Sequence, residues 1–109
     1  MTDYAAVLGS THPGAEWSLN GDDYAGLVWL SDSPKPSQEE LDAAWPAVRE
    51  ARAWNRVRAE RDRLLAACDW TQVADAPVDA AAWAVYRQAL RDVPQDFATP
   101  DDVVWPEQP

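Results

Sequence analysis

One histidine, one cysteine and two acidic pairs are the residues of this 109-residue chain whose types invite catalysis or metal binding. A nucleophilic serine would need His12 as its base, yet His12 opens a His12-Pro13-Gly14 break, where an exposed turn residue is the expected use. Cys68 falls on an apolar helical stripe, the setting of a small core residue and not of an activated thiolate. Zinc asks for several Cys or His ligands, and the chain holds one of each. Asp22-Asp23 and Asp101-Asp102 lack the spacing of a calcium loop, so both pairs read as solvated turn acids. Four glycines, none in a GxGxxG or phosphate-loop arrangement, give nucleotide binding no footing. These residues predict a protein that is not an enzyme and uses no metal or cofactor.

Charge and tryptophan are what remain. Arg49, Arg52, Arg56 and Arg63 stand 3, 4 and 7 apart and so line one helix face, with Arg58 and Arg61 elsewhere on the barrel. Two readings of this run stay open: a solvated face with Glu50, Glu60 and Asp62 as local partners, or a contact surface for an acidic protein, a second copy of this chain included. The second reading follows from the layout of a chain whose net charge is −10. Residues 1–48 carry eight acids and Lys35, residues 49–63 six arginines and three acids, and residues 64–109 eight acids and two arginines. So acidic a chain is repelled by the nucleic-acid backbone and by anionic membranes, and neither is an expected partner. Seven tryptophans, many for this length, suit small cores and the centres of protein–protein contacts.

These side chains need elements to hold them, and the pattern predicts an α+β chain. Tyr4, Ala5, Val7 and Leu8 make a short helix within 3–12, ended by Pro13-Gly14. AEWSL (15–19), NGDD (20–23) and YAGLVWL (24–30) read as two strands joined through Asn20-Gly21, two residues that tolerate the positive φ of a tight turn. Trp17 and Leu19 then share one face of the first strand, and Leu27 and Trp29 one face of the second. SDSPKP (31–36) is a stiff turn, and Ser37-Gln38-Glu39-Glu40 is a capping box that starts a long helix running to about Cys68. Pro46 should kink or restart that helix. Its apolar stripe also moves, from Leu41, Trp45 and Val48 to Val57, Leu64, Leu65 and Cys68 on roughly the opposite side. A loop over 71–79 ends at the N-cap Asp79. The helix after it, to about Val93, sets Trp83, Tyr86, Leu90 and Val93 on one stripe and pairs with 57–68 as a helical hairpin. Pro94–Pro109 is expected to be an extended tail. The expected division is a small helix-and-hairpin module at 1–48 and a helical-hairpin module at 49–109, the two sharing the long helix.

The stretch from Arg61 to Pro109 resembles the phage tail assembly chaperone family. The residues that carry the likeness are Arg61, Leu64-Leu65, Cys68-Asp69-Trp70-Thr71, Asp75-Ala76-Pro77, Trp83, Tyr86-Arg87-Gln88, Leu90-Arg91-Asp92 and Val104-Trp105-Pro106. The N-terminal part resembles the XkdW-like phage tail-region proteins through HPGAEW (12–17), LVWL (27–30) and PKPSQEEL (34–41). The likeness implies a non-catalytic protein that binds a tail-fibre or tail-tip protein in the host cytoplasm during assembly. It also implies a partner surface around Trp70, Asp75, Arg87, Arg91, Trp105 and Pro106. Within that surface Asp69 can close the long helix while Trp70 folds back on the helical hairpin, and Arg87 or Arg91 can bond Asp69 or Asp75. Trp105 either docks on its own unit or waits for the partner.

Two other functions compete with the chaperone reading. One is a structural virion protein retained on the tail tip or fibre. The other is an acidic DNA-mimicking inhibitor of a host protein, against which the basic middle of the chain counts because it interrupts any continuous row of carboxylates. No basic leader precedes an apolar run, and the apolar runs fall far below the roughly 20 residues that span a bilayer, so neither a signal peptide nor a membrane segment is expected.

Overall fold

The computed structural model describes residues 1–109. Its order is helix α1 (Tyr4–Thr11), strand β1 (Trp17–Leu19), strand β2 (Leu27–Trp29), helix α2 (Gln38–Ala67) and helix α3 (Ala80–Asp96). Short 3₁₀ turns lie at Tyr24–Gly26, Asp69–Gln72 and Pro100–Asp102. The chain divides into two compact units, Met1–Ala51 and Arg52–Pro109.

In the first unit, Asp3 caps α1 by accepting the Ala6 N–H at 3.0 Å, and the spacing of Tyr4, Val7 and Leu8 turns all three inward. The strands pair antiparallel with Trp17 opposite Trp29 and Leu19 opposite Leu27, so the four predicted residues do share a face. Ser18 and Val28 point the other way, and both are exposed. The turn between the strands is longer than Asn20-Gly21 predicts. Asn20 N–H donates to the Gly26 carbonyl at 3.0 Å, which makes 21–25 an excursion, and Tyr24-Ala25-Gly26 is a 3₁₀ turn instead of strand. Gly21 supplies the positive φ of 82°, as expected, while Gly26 is needed for space because a Cβ there would collide with the Asn20 carbonyl. Tyr24 leaves the ladder for the core. Its hydroxyl donates to the Pro36 carbonyl at 2.6 Å and its ring meets Tyr4 edge-on at 5.9 Å.

Helix α2 begins as predicted, with Glu40 N–H donating to Ser37 Oγ at 3.1 Å and Glu39 and Glu40 in the first turn, where the helix dipole favours acids. It does not restart at Pro46 but runs through it. Pro46 and Asp42 are both exposed, so water can take the Asp42 carbonyl that loses its N–H partner. Leu41 and Val48 join Tyr4, Val7, Leu8 and Leu27 in a buried cluster, with Trp17, Trp29 and Trp45 packed against it.

In the second unit, Asp79 caps α3 by accepting the Ala82 N–H at 3.1 Å, and Tyr86, Leu90 and Val93 are buried on the predicted stripe. The helix passes Pro94 and ends at Asp96, three residues beyond the expected end. Proline's fixed φ is already helical, and this close to a C-terminus few later turns depend on it. A core of Cys68, Tyr86 and Leu90, with Leu64, Leu65, Trp83 and Trp105 against it, joins the end of α2, α3 and the tail. No helix is long and apolar enough to cross a membrane.

Candidate functional site

A helix that ends inside a protein leaves carbonyls without N–H partners, and cations favour that end. The last turn of α2 contains no basic residue. Arg87, reaching over from α3, fills the gap. One guanidinium nitrogen donates to the Leu65 carbonyl at 2.9 Å and to Cys68 Sγ at 3.1 Å, and the other donates to Asp69 Oδ1 at 2.8 Å. Burial of the guanidinium works against its charge, but Asp69 and Cys68 more than offset that cost and hold the group above its ordinary pKa. Asp69 itself is two-thirds exposed, so the pairing is partly screened. The chain then turns sharply. Thr71, fully buried, donates from N–H and hydroxyl to the Cys68 carbonyl at 3.1 and 2.6 Å, and Gln72 donates to the Ala80 carbonyl at 3.1 Å, tying the turn to the start of α3.

This turn carries Trp70 on its outside. The Trp70 ring lies 6.4 Å from Trp83, which in turn meets Tyr86 edge-on at 5.6 Å, so an aromatic row runs from the surface into the core. Trp70 is still 50% exposed, and Val73, one turn on, 53%. The predicted site residues therefore separate into two groups. Arg87 and Trp105 are used within the unit, the first on Asp69 and the end of α2, the second against the Cys68–Tyr86–Leu90 core. Trp105 docks in cis. Trp70, Asp75 and Arg91 face solvent, and Pro106 is half-buried beside Trp105. Of the four predicted charge pairings only Arg87–Asp69 forms; Asp75 and Arg91 make no ion pair. The roles of Thr71 and Gln72 had no signal in spacing or periodicity, because each acts through a local turn.

His12, Cys68, Asp22-Asp23 and Asp101-Asp102 are not brought together. His12 is half-buried, not the exposed turn residue expected: its ring lies edge-on to Trp29 at 5.7 Å and Nδ1 meets Thr11 Oγ1 at 2.8 Å. A neighbouring indole gives it more area than a bare Pro-Gly turn would. Cys68 is buried in the core, and both acidic pairs are exposed. No group of three His, Cys, Asp or Glu side chains converges on a point that could hold a metal ion. Along α2, Arg63 clasps Glu60 with Nε at 2.9 Å and Nη2 at 2.5 Å and holds that carboxyl below its usual range, and Arg61 pairs with Asp62 at 3.0 Å. Arg49, Arg56 and Arg58 stay exposed.

Compared with known families, residues 54–109 match the model described as "Phage tail assembly chaperone protein". The match takes in the whole Arg87 and Trp70 arrangement and does not extend to the first unit. No curated protein matches the chain significantly, and no solved structure does.

Proposed function

Because this chain belongs to the phage tail assembly chaperone family and so serves tail assembly without catalysis, we propose that it covers apolar surface on a tail-fibre or tail-tip protein until that protein assembles. The observation that carries this reading is the exposed Trp70, its ring tilted against Trp83 within the matched segment. A half-exposed indole on a fixed turn is already ordered, so little conformational entropy is lost when a partner covers it. Asp75 and Arg91, exposed charges of the same matched segment, serve to select orientation more than to add affinity. Arg87 and Trp105 help hold together the unit that presents Trp70, and Pro106 follows Trp105 in the chain. The work takes place in the host cytoplasm while the tail is built.

Co-expression with the phage's tail-fibre or tail-tip protein tests this. Soluble, correctly assembled partner should increase with the wild-type chain. Trp70→Ala should weaken the complex by about 2 kcal/mol or more, the scale of a central indole, while leaving the thermal midpoint nearly unchanged. Unaltered partner yield with and without the chain defeats the proposal. Mass spectrometry of purified particles separates a released chaperone from a retained component: many copies per particle favour the latter.

A further inference from the structure

The two edges of the β1–β2 sheet are unlike. The bonds from Asn20 N–H to the Gly26 carbonyl and from Leu30 N–H to the Glu16 carbonyl, with Ser18 opposite Val28, set the phase of the ladder. In that phase the backbone groups of Trp17 and Leu19 point away from β2, and those of Leu27 and Trp29 point away from β1. The β2 edge is guarded: Lys35 Nζ donates to the Leu27 carbonyl at 3.0 Å, and the Trp29 indole N–H donates to the Ser33 carbonyl at 2.7 Å, which holds the Pro34-containing segment beside it. Lysine and proline are the means by which natural sheets block strand addition. The β1 edge has neither. Its four outward N–H and C=O groups bond to nothing in the chain.

Charge says what fits there. Residues 1–34 contain five acids and no lysine or arginine. Glu16 immediately precedes β1, and an open depression of about 300 Å³ at the strand's far end is lined by Tyr4, Leu19 and Asp22 among others. The only lysine or arginine of the first unit up to residue 48, Lys35, is committed to the opposite edge. We infer that the free edge of β1 accepts an extended, basic segment of a partner protein as a third strand. Trp17 and Leu19 give the main-chain bonds, and the acids around them select lysine or arginine in the incoming segment. This does not rest on the reading of residues 52–109, and either can fail alone.

The test uses the full chain, ¹⁵N-labelled, with a blocked eight-residue peptide of alternating Lys and Val. In the free chain the Ser18 and Asn20 amides should exchange slowly and those of Trp17 and Leu19 fast. Peptide should slow Trp17 and Leu19 by at least about tenfold. The same peptide N-methylated at alternate residues should not, and Glu16→Lys with Asp22→Lys should weaken the effect several-fold. Equal protection by a Glu-Val peptide or by the N-methylated one overturns the inference, as does no protection at all. Protection that rises with protein concentration and needs no peptide assigns the edge to a second copy and overturns it too.

Discussion

The two units bury their aromatic side chains with different materials. In residues 1–51 six buried side chains from α1, β2 and α2 make one apolar cluster, and three tryptophans lie against it. In residues 52–109 the cluster is smaller, Cys68, Tyr86 and Leu90, and the half-buried Arg87 guanidinium closes the end of α2. The first unit is held by volume and the second by a hydrogen-bond network around one cation. Truncating an apolar residue should therefore hurt the first unit more, and removing a charge the second.

The largest effect tests the first half of that contrast. Leu41, 1% exposed, lies within the larger cluster, and Leu41→Ala should cost about 2–5 kcal/mol in urea denaturation. Leu90 is as completely buried, but its smaller cluster can collapse around the vacancy, and Leu90→Ala should fall at the lower end of that range. The reverse order would undo the comparison. Arg87→Met comes next, at about 1.5–3 kcal/mol, because it removes the charged donor to the Leu65 carbonyl, which keeps the Cys68 N–H at 3.1 Å, and leaves Asp69 without its cation; Arg87→Lys should recover only part, keeping charge without the fork. The matching change in the first unit, Lys35→Met, removes one bond to Leu27 and a cation 4.9 Å from the Tyr24 ring, and should cost no more than about 1 kcal/mol. Equal losses from Arg87→Met and Lys35→Met would mean the two units do not differ in kind.

The contrast also explains what the sequence discloses. Periodicity reports side chains that seek an apolar face, so Tyr4, Val7 and Leu8, the shared face of Trp17, Leu19, Leu27 and Trp29, and the Tyr86–Leu90–Val93 stripe were all legible. Caps were legible too, since Ser37 and Asp79 act within one turn. Long-range closure was not. Nothing local reveals that Asn20 meets Gly26, that Tyr24 leaves the strand for Pro36, or that α2 and α3 pass through Pro46 and Pro94. Of the site, the Arg87–Asp69 bond entered as one option among four, through family likeness and not through spacing. That Arg87 also holds the Leu65 carbonyl and Cys68 depends on where α3 crosses the end of α2. Trp105 gave no sign of docking because three prolines and an isolated Val-Val-Trp patch describe a tail equally well in either state.

A loss of similar size, about 1 kcal/mol, is expected from Asp79→Ala, confined to the start of α3 and readable as faster amide exchange at Ala82.

The finest distinction between the units is in pH. The Thr2 and Tyr4 hydroxyls hold the Asp42 carboxyl below its ordinary range, and the bond to Asp42, followed by burial, holds the Tyr4 phenol above its own. A depressed carboxylate contributes stability above the unfolded pKa of about 3.9 and loses it as pH falls through the lower folded value. A raised phenol contributes below about 10 and loses it as pH rises through the higher folded value. For Arg87, also raised, the loss begins only above the ordinary guanidinium range, beyond any working buffer. Tyr4→Phe isolates the first unit's share: the gap in denaturation midpoint between wild type and variant should be constant from about pH 5 to 9 and shrink below about pH 4. A gap unchanged at about pH 2 would mean that the 2.8 Å contact between Tyr4 and Asp42 is not coupled to protonation. The same measurement on Arg87→Met should show no such narrowing from the guanidinium itself, since that cation keeps its charge throughout.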